Sequence, residues 1–194
     1  MTETKWVTVF CGAAAGVDPQ FAEATEALGN WLVDHDFGLL YGGGRYGLMG
    51  VVAETVLARG GQVYGIVPQE LANRGVVMPG LSKLAVVADM SVRKARMIQE
   101  STALIALPGG PGTLEEISQA FSWARIGDNP HPCAFYNVAH YYDDLARFFD
   151  GMTTSGFLTA TDREKLLFSE DLDALGDFIA SYQAPAIRTY GTAK

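Results

Sequence analysis

Cysteine is scarce: Cys11 and Cys133 are the only two in 194 residues. Two cysteines build no disulfide framework, and a reducing, cytoplasmic setting is expected. Positive charge is scarce as well, with 14 Lys and Arg against 22 Asp and Glu and a net charge of −8. A nucleic-acid binder would carry a basic stripe, so no nucleic-acid partner is expected. No apolar run is long enough to span a bilayer, and no membrane association is expected. The opening MTETKWVTVF lacks a basic region followed by an apolar stretch, so a signal peptide is not expected either. The three histidines, His35, His131 and His140, have no ligand spacing, which argues against a metal site. No Gly-Lys-Ser/Thr follows any glycine loop, so a Walker A reading fails.

What is present is a regular alternation. Short apolar runs (WVTVFC, FGLLY, QVYGIV, KLAVVA, ALIAL, PCAFYN, KLLFS) are separated by helical patterns. Strands without polar alternation imply a parallel sheet covered on both faces. The expected fold class is therefore α/β, a Rossmann-like doubly wound parallel sheet with helices on both faces. Residues 1–184 read as one such domain, 185–194 as a flexible tail, and 69–82 as a loop over the sheet edge. Asp18-Pro19 reads as a helix cap followed by a first-turn proline. The helices bearing Trp123 and Phe148-Phe149 carry more aromatic surface than a small sheet face needs. A homodimer with part of each pocket near the interface is expected.

In such sheets ligands bind at the carboxyl ends of the strands. Three glycine loops fall there: CGAAAG from Cys11, YGGGRYGLMG from Tyr41, and LPGGPGT from Leu107. Glycine lets a backbone approach a ligand closely, and a following helix offers its free N–H groups. Three such turns make an anion site even in an acidic protein. Gly42, Gly44 and Gly47 have GxGxxG spacing, but the loop follows the second strand. No acidic residue stands about 20 positions on to hold an adenosine ribose, which argues against NAD. No cofactor is expected.

Thr113-Leu114-Glu115-Glu116 fits a capping box, in which Glu116 would accept the Thr113 N–H and Glu115 would favour the helix dipole. The functional alternative places these carboxylates beside a phosphate loop, where a sugar phosphate would present its ribose. A carboxylate there stabilises the positive charge that develops at C1′ when a ribosyl bond breaks, or activates water. Arg93 and Lys94 begin a helix, where positive charge opposes the dipole. They read either as a solvated basic turn or as phosphate-binding cations. Arg45 is a further candidate.

These residues together resemble the LONELY GUY family of cytokinin riboside 5′-monophosphate phosphoribohydrolases. The pattern PGGxGTxxE is met by Pro108, Gly109, Gly110, Gly112, Thr113 and Glu116. YGGGRYGLMG resembles the family's first glycine motif, RKARM its Arg-Lys helix, and SWARIG and YYDDL sit where similar segments occur. The resemblance runs from about Val7 to Phe178. It implies a Rossmann-like homodimer that releases free base and ribose 5-phosphate from a nucleoside 5′-monophosphate, AMP or N6-prenylated AMP. It implies Arg93 and Glu116 as catalytic. It places Lys94, Gly109, Gly110, Gly112, Thr113, Glu115 and Ser122 around the nucleotide, and Gly43, Gly44 and Arg45 of the second glycine loop are further substrate-binding candidates from their position at a strand end. Alternatives on the same fold are a non-catalytic nucleotide sensor and a general AMP nucleosidase. The chain departs from the family pattern at Ala13-Ala14, where serines are usual, and at Met90-Ser91-Val92, where histidine and a polar or acidic residue are often found.

Overall fold

Seven apolar runs become strands: β1 (Lys5–Phe10), β2 (Phe37–Tyr41), β3 (Val63–Pro68), β4 (Lys83–Val87), β5 (Ala103–Ala106), β6 (Cys133–Tyr136) and β7 (Leu166–Ser169). They form one sheet in the order β4-β3-β2-β1-β5-β6-β7, with every pairing parallel. The computed structural model describes residues 4–187. The doubly wound α/β expectation is met.

The helices are α1 (Pro19–Asp34), α2 (Gly47–Ala58), α3 (Gln69–Asn73), α4 (Met90–Gln99), α5 (Pro111–Ala124), α6 (Asp143–Thr154), α7 (Ala160–Arg163) and α8 (Leu172–Ser181). Successive strand residues point to opposite faces, and both sets are apolar. Val7 and Val9 join Leu28, Leu32, Val52 and Leu175 in one core, under α1, α2 and α8. Phe10, Leu104 and Phe135 join Met97, Ile117 and Phe121 in the other, under α4, α5 and α6. Each such side chain contributes about 1.5–3 kcal/mol when fully buried. The one polar side chain in the middle of β1, Thr8, is buried and donates to the Met97 carbonyl at 3.0 Å, tying the end of α4 to the sheet.

The chain winds outward from β1 through β2, β3 and β4, then returns to place β5 on the other side of β1. That reversal makes the carboxyl ends of β1 and β5 the topological switch point, the position where such sheets open a crevice.

Several local expectations change. Asp18 does cap α1, accepting from Gln20 N at 2.9 Å. In contrast, α5 begins at Pro111 with Gly110 as its N-cap, so Thr113 lies inside the first turn and no capping box forms. A proline with its φ already set is well suited to the first helical position, and the helix starts there rather than at Leu114. The expected loop at 69–82 contains the short helix α3. Phe149 and Trp123 pack into or against the core, whereas Phe148 is exposed. The expected tail from residue 185 lies outside the described residues beyond 187.

Candidate active site

The three glycine loops meet at the switch point. Gly12 N donates to the Pro108 carbonyl at 3.1 Å, joining the loop after β1 to the loop after β5. Met49 N reaches the Gly12 carbonyl at 3.4 Å, bringing in the start of α2. Gly47 has φ +60°, and a Cβ there would run into the Ala13 carbonyl, so the loops after β1 and β2 touch backbone to backbone. A cleft of about 360 Å³ opens above them, walled by Ala13 to Ala15, Phe21, Leu48, Pro108, Gly109, Gly110 and Tyr141. A larger cavity of about 640 Å³, between Trp31, Phe37 and α8, lies away from these loops.

Two helices of the opposite face bring a buried ion pair to the same edge. Arg93 Nη1 lies 2.8 Å from Glu116 Oε1, and both residues are only 8% exposed. Arg93 Nε donates to the Ile66 carbonyl at the end of β3 at 3.1 Å. Its Nη2 lies where a Cβ on residue 42 would be, so Gly42 is what admits the guanidinium. Sequence position left open a solvated basic turn or a functional cation, and the buried position excludes the solvated turn for Arg93. The fold turns Arg93 inward because Asp89 caps α4, accepting from Val92 N at 2.9 Å, and this sets the helix phase over β3.

A buried ion pair is a weak source of stability, because desolvation offsets the attraction. Paired titratable groups at a strand-end crevice are instead a common mark of chemistry. Burial pushes the Glu116 carboxyl above its ordinary value of 4.5, and Arg93 works against that push. The buried Cys11 thiol is also raised, by desolvation first and then by Glu116. It is an inert packing group, not a nucleophile.

The other predicted residues separate into groups. Gly109, Gly110, Gly112 and Thr113 form the turn into α5, and Leu114 N is bonded back to the Gly110 carbonyl at 3.2 Å. The preceding amides are at the open helix end. Cβ atoms at Gly110, which lines the cleft, or at the exposed Gly112 would meet nothing within 4 Å among the described residues, so both positions are open. Lys94 and Glu115 pair with each other at 2.5 Å, bridging α4 and α5. Glu115 is thereby tied to Lys94 and exposed, while Glu116 is buried, so the two adjacent glutamates have different surroundings.

Gly43 and Gly44 are packed rather than open. A Cβ on Gly43 would strike Val67, one on Gly44 would strike Met49, and the Gly43 carbonyl accepts from Met78 N at 2.9 Å. Arg45 is folded onto Tyr46, with Nη2 2.8 Å from its hydroxyl. Ser122 is six residues past Glu116, about 9 Å along α5, and exposed on another face of that helix. Among the described hydrogen bonds and ion pairs, none joins these four to Arg93 or Glu116. Two residues that sequence reasoning did not single out are at the site: Tyr141 and Tyr142 both donate to carbonyls of the loop after β5. The YYDDL segment was the only signal.

A family described as "possible lysine decarboxylase" matches residues 49–177. The chain is 37% identical over 179 residues to cytokinin riboside 5′-monophosphate phosphoribohydrolase LOG7 of Arabidopsis thaliana, covering 92% of this chain and 82% of that protein. It is 42% identical over 158 residues to LOG3 of the same plant, which carries the same activity in its name, covering 81% and 74%. Among solved structures, the molybdenum cofactor carrier protein of Chlamydomonas reinhardtii superposes with a TM-score of 0.70 at 18% identity, over 92% of this chain and 100% of that one. The molybdenum cofactor binding protein of Rippkaea orientalis gives 0.68 at 18%, over 93% and 98%. At such identities the likeness is one of fold alone.

Proposed function

The chain belongs to the LONELY GUY family, described as possible lysine decarboxylases, and we propose that Arg93 and Glu116 are the groups with which it works as a phosphoribohydrolase. It hydrolyses the N-glycosidic bond of cytokinin riboside 5′-monophosphates. The bond from C1′ to the base nitrogen breaks, the oxygen of water joins C1′, and a proton goes to the leaving base. The products are free cytokinin and ribose 5-phosphate.

The observation that carries this reading is the buried Arg93–Glu116 pair, set beside three joined glycine loops at the switch point. Positive charge grows at C1′ as the bond breaks, and an ionised carboxylate in a water-poor site stabilises it strongly. Arg93 holds the Glu116 carboxylate in place through Nη1. The amides of Gly110, Gly112 and Thr113, at the positive end of α5, take the 5′-phosphate. Lys94 adds charge nearby and Glu115 holds it there. Gly43, Gly44 and Gly47 act by letting the loops pack, and the supply of amides rests on the loop after β5. Lys94, locked in its pair with Glu115, is a poor setting for the Schiff base that a pyridoxal-dependent decarboxylase requires.

The protein works as a cytoplasmic homodimer in this reading. Leu84 and Val86 on edge strand β4, Met90 and Val92 on α4, and Leu114 on α5 are large apolar side chains left exposed around the catalytic edge. Open apolar edge strands are normally covered.

Incubation with N6-isopentenyl-AMP, followed by detection of free base and ribose 5-phosphate, tests the activity. Equal turnover of AMP would make the protein a general nucleoside-monophosphate hydrolase. No release from either nucleotide would leave only a nucleotide-binding module.

A further inference from the structure

We propose that Tyr141 is a positioning residue that aims the Gly110 amide of the loop after β5 at the substrate phosphate. This rests on the reading that the loop binds the 5′-phosphate. Three consecutive carbonyls of that loop are occupied by protein donors. Leu107 accepts from the Tyr142 hydroxyl at 2.7 Å, Pro108 from Gly12 N at 3.1 Å, and Gly109 from the Tyr141 hydroxyl at 2.7 Å.

A peptide unit is planar, and in its trans form the C=O and the following N–H point in opposite directions. Holding the Pro108 carbonyl therefore fixes the Gly109 N–H. Holding the Gly109 carbonyl fixes the Gly110 N–H, away from Tyr141 and at the N-cap of α5. Each captured carbonyl also has its negative end covered, which removes a repulsion that an anion would otherwise meet. Donation to a carbonyl polarises its peptide and strengthens the N–H on the other side.

The segment carrying the tyrosines is itself held in an unusual shape. Ala139 and His140 have φ of 50° and 59°, left-handed values that cost energy in any residue but glycine. Asn137 maintains the turn: its Oδ1 accepts from Tyr142 N at 2.6 Å and its Nδ2 donates to Asp143 at 2.8 Å. The Tyr142 ring is buried edge-on against Phe135, so that residue also serves the core. Tyr141 is 46% exposed, and its ring meets Phe21 and Tyr142 edge-on. Packing does not explain its hydroxyl; the Gly109 carbonyl does. Neither tyrosine is placed at the reacting atoms.

The test is Tyr141→Phe, which keeps the ring and removes only the hydroxyl. kcat/KM is measured for N6-isopentenyl-AMP and for the phosphate-free N6-isopentenyladenosine, with ribose 5-phosphate inhibition as a binding readout. For one lost hydrogen bond we expect the monophosphate value to fall about fivefold to tenfold. Ribose 5-phosphate inhibition should weaken by a similar factor, while nucleoside turnover and melting temperature stay unchanged. Tyr142→Phe, whose Leu107 acceptor shares its peptide with Pro108 and so faces no N–H, should lower the melting temperature and leave the preference in place. An unaltered preference for the monophosphate in Tyr141→Phe would overturn the proposal, as would equal losses on both substrates. If the parent protein itself shows no preference for the monophosphate, the phosphate reading fails and the positioning role fails with it.

Discussion

Glu116 has to be ionised to meet positive charge at C1′, yet its surroundings disfavour ionisation. Burial raises its pKa above 4.5, and the Arg93 guanidinium only partly opposes this. The fraction ionised therefore drops as pH falls through the raised value, and kcat/KM should show an acid limb with a midpoint above 4.5. A pH–rate profile between 4 and 8 checks it; activity sustained to pH 4 would place the limiting group elsewhere. The stability sign is opposite. A carboxyl with a raised native pKa binds its proton more readily when folded, so its contribution disfavours folding above that pKa and the penalty lifts as pH falls through it. Glu116→Gln keeps the shape and an acceptor for Arg93, and Glu116 caps no helix. We expect turnover to fall at least ~100-fold, with the protein still folded but its melting temperature lowered, because Arg93 is left buried without a counter-charge. Arg93→Ala leaves a buried carboxylate unpaired and should cost about 3–5 kcal/mol of stability near neutral pH. Denaturant unfolding measures this, and adding Glu116→Gln to Arg93→Ala should recover much of the loss.

At the scale of the elements, the glycines divide into those that pack and those that stand open. Gly47→Ala forces a side chain into the Ala13 carbonyl at positive φ, and we expect a loss of order 1–3 kcal/mol in unfolding experiments. Gly112→Ala meets open space in the first turn of α5 and should leave stability unchanged or slightly raised. Its effect should appear as a raised KM for the monophosphate, because the new methyl crowds the approach to the Gly112 and Thr113 amides. The strands and loops behind these predictions were legible in the sequence: apolar runs without alternation announced the parallel sheet, and each glycine cluster fell at a strand end. The start of α5 was misplaced because Thr113-x-x-Glu116 imitates a capping box, although Pro111 already marked the first helical position. That Arg93 points inward was not legible. It depends on how α4 lies over β3 and on the space left by Gly42, which are tertiary facts. The same holds for Tyr141 and Tyr142, whose partners are 32 and 35 residues away in sequence. α3 and α7 are too short to leave a periodic signal.

The molecule as a whole leaves β4 at the sheet edge with Leu84 and Val86 exposed, next to the helix α4 that carries Arg93. Sedimentation at micromolar concentration should give a dimer, and Val86→Glu should shift it towards monomer; a monomeric parent would contradict the assembly. Net charge bears on the substrate too. A protein of charge −8 repels a phosphate dianion at long range, so recognition has to come from a few local donors at the end of α5. Hydrogen bonds to charged groups contribute roughly 1.5–3 kcal/mol each, so removing the phosphate should remove two or three such contributions from the transition state. The most direct measurement compares free-base release from N6-isopentenyl-AMP and from N6-isopentenyladenosine in the same buffer. We expect kcat/KM to be ~10³-fold or more higher for the monophosphate, with part of the difference in kcat, since 1.4 kcal/mol is about tenfold. Equal rates on the two substrates would contradict a phosphate cradle at Gly109–Thr113 and with it the reading of the site.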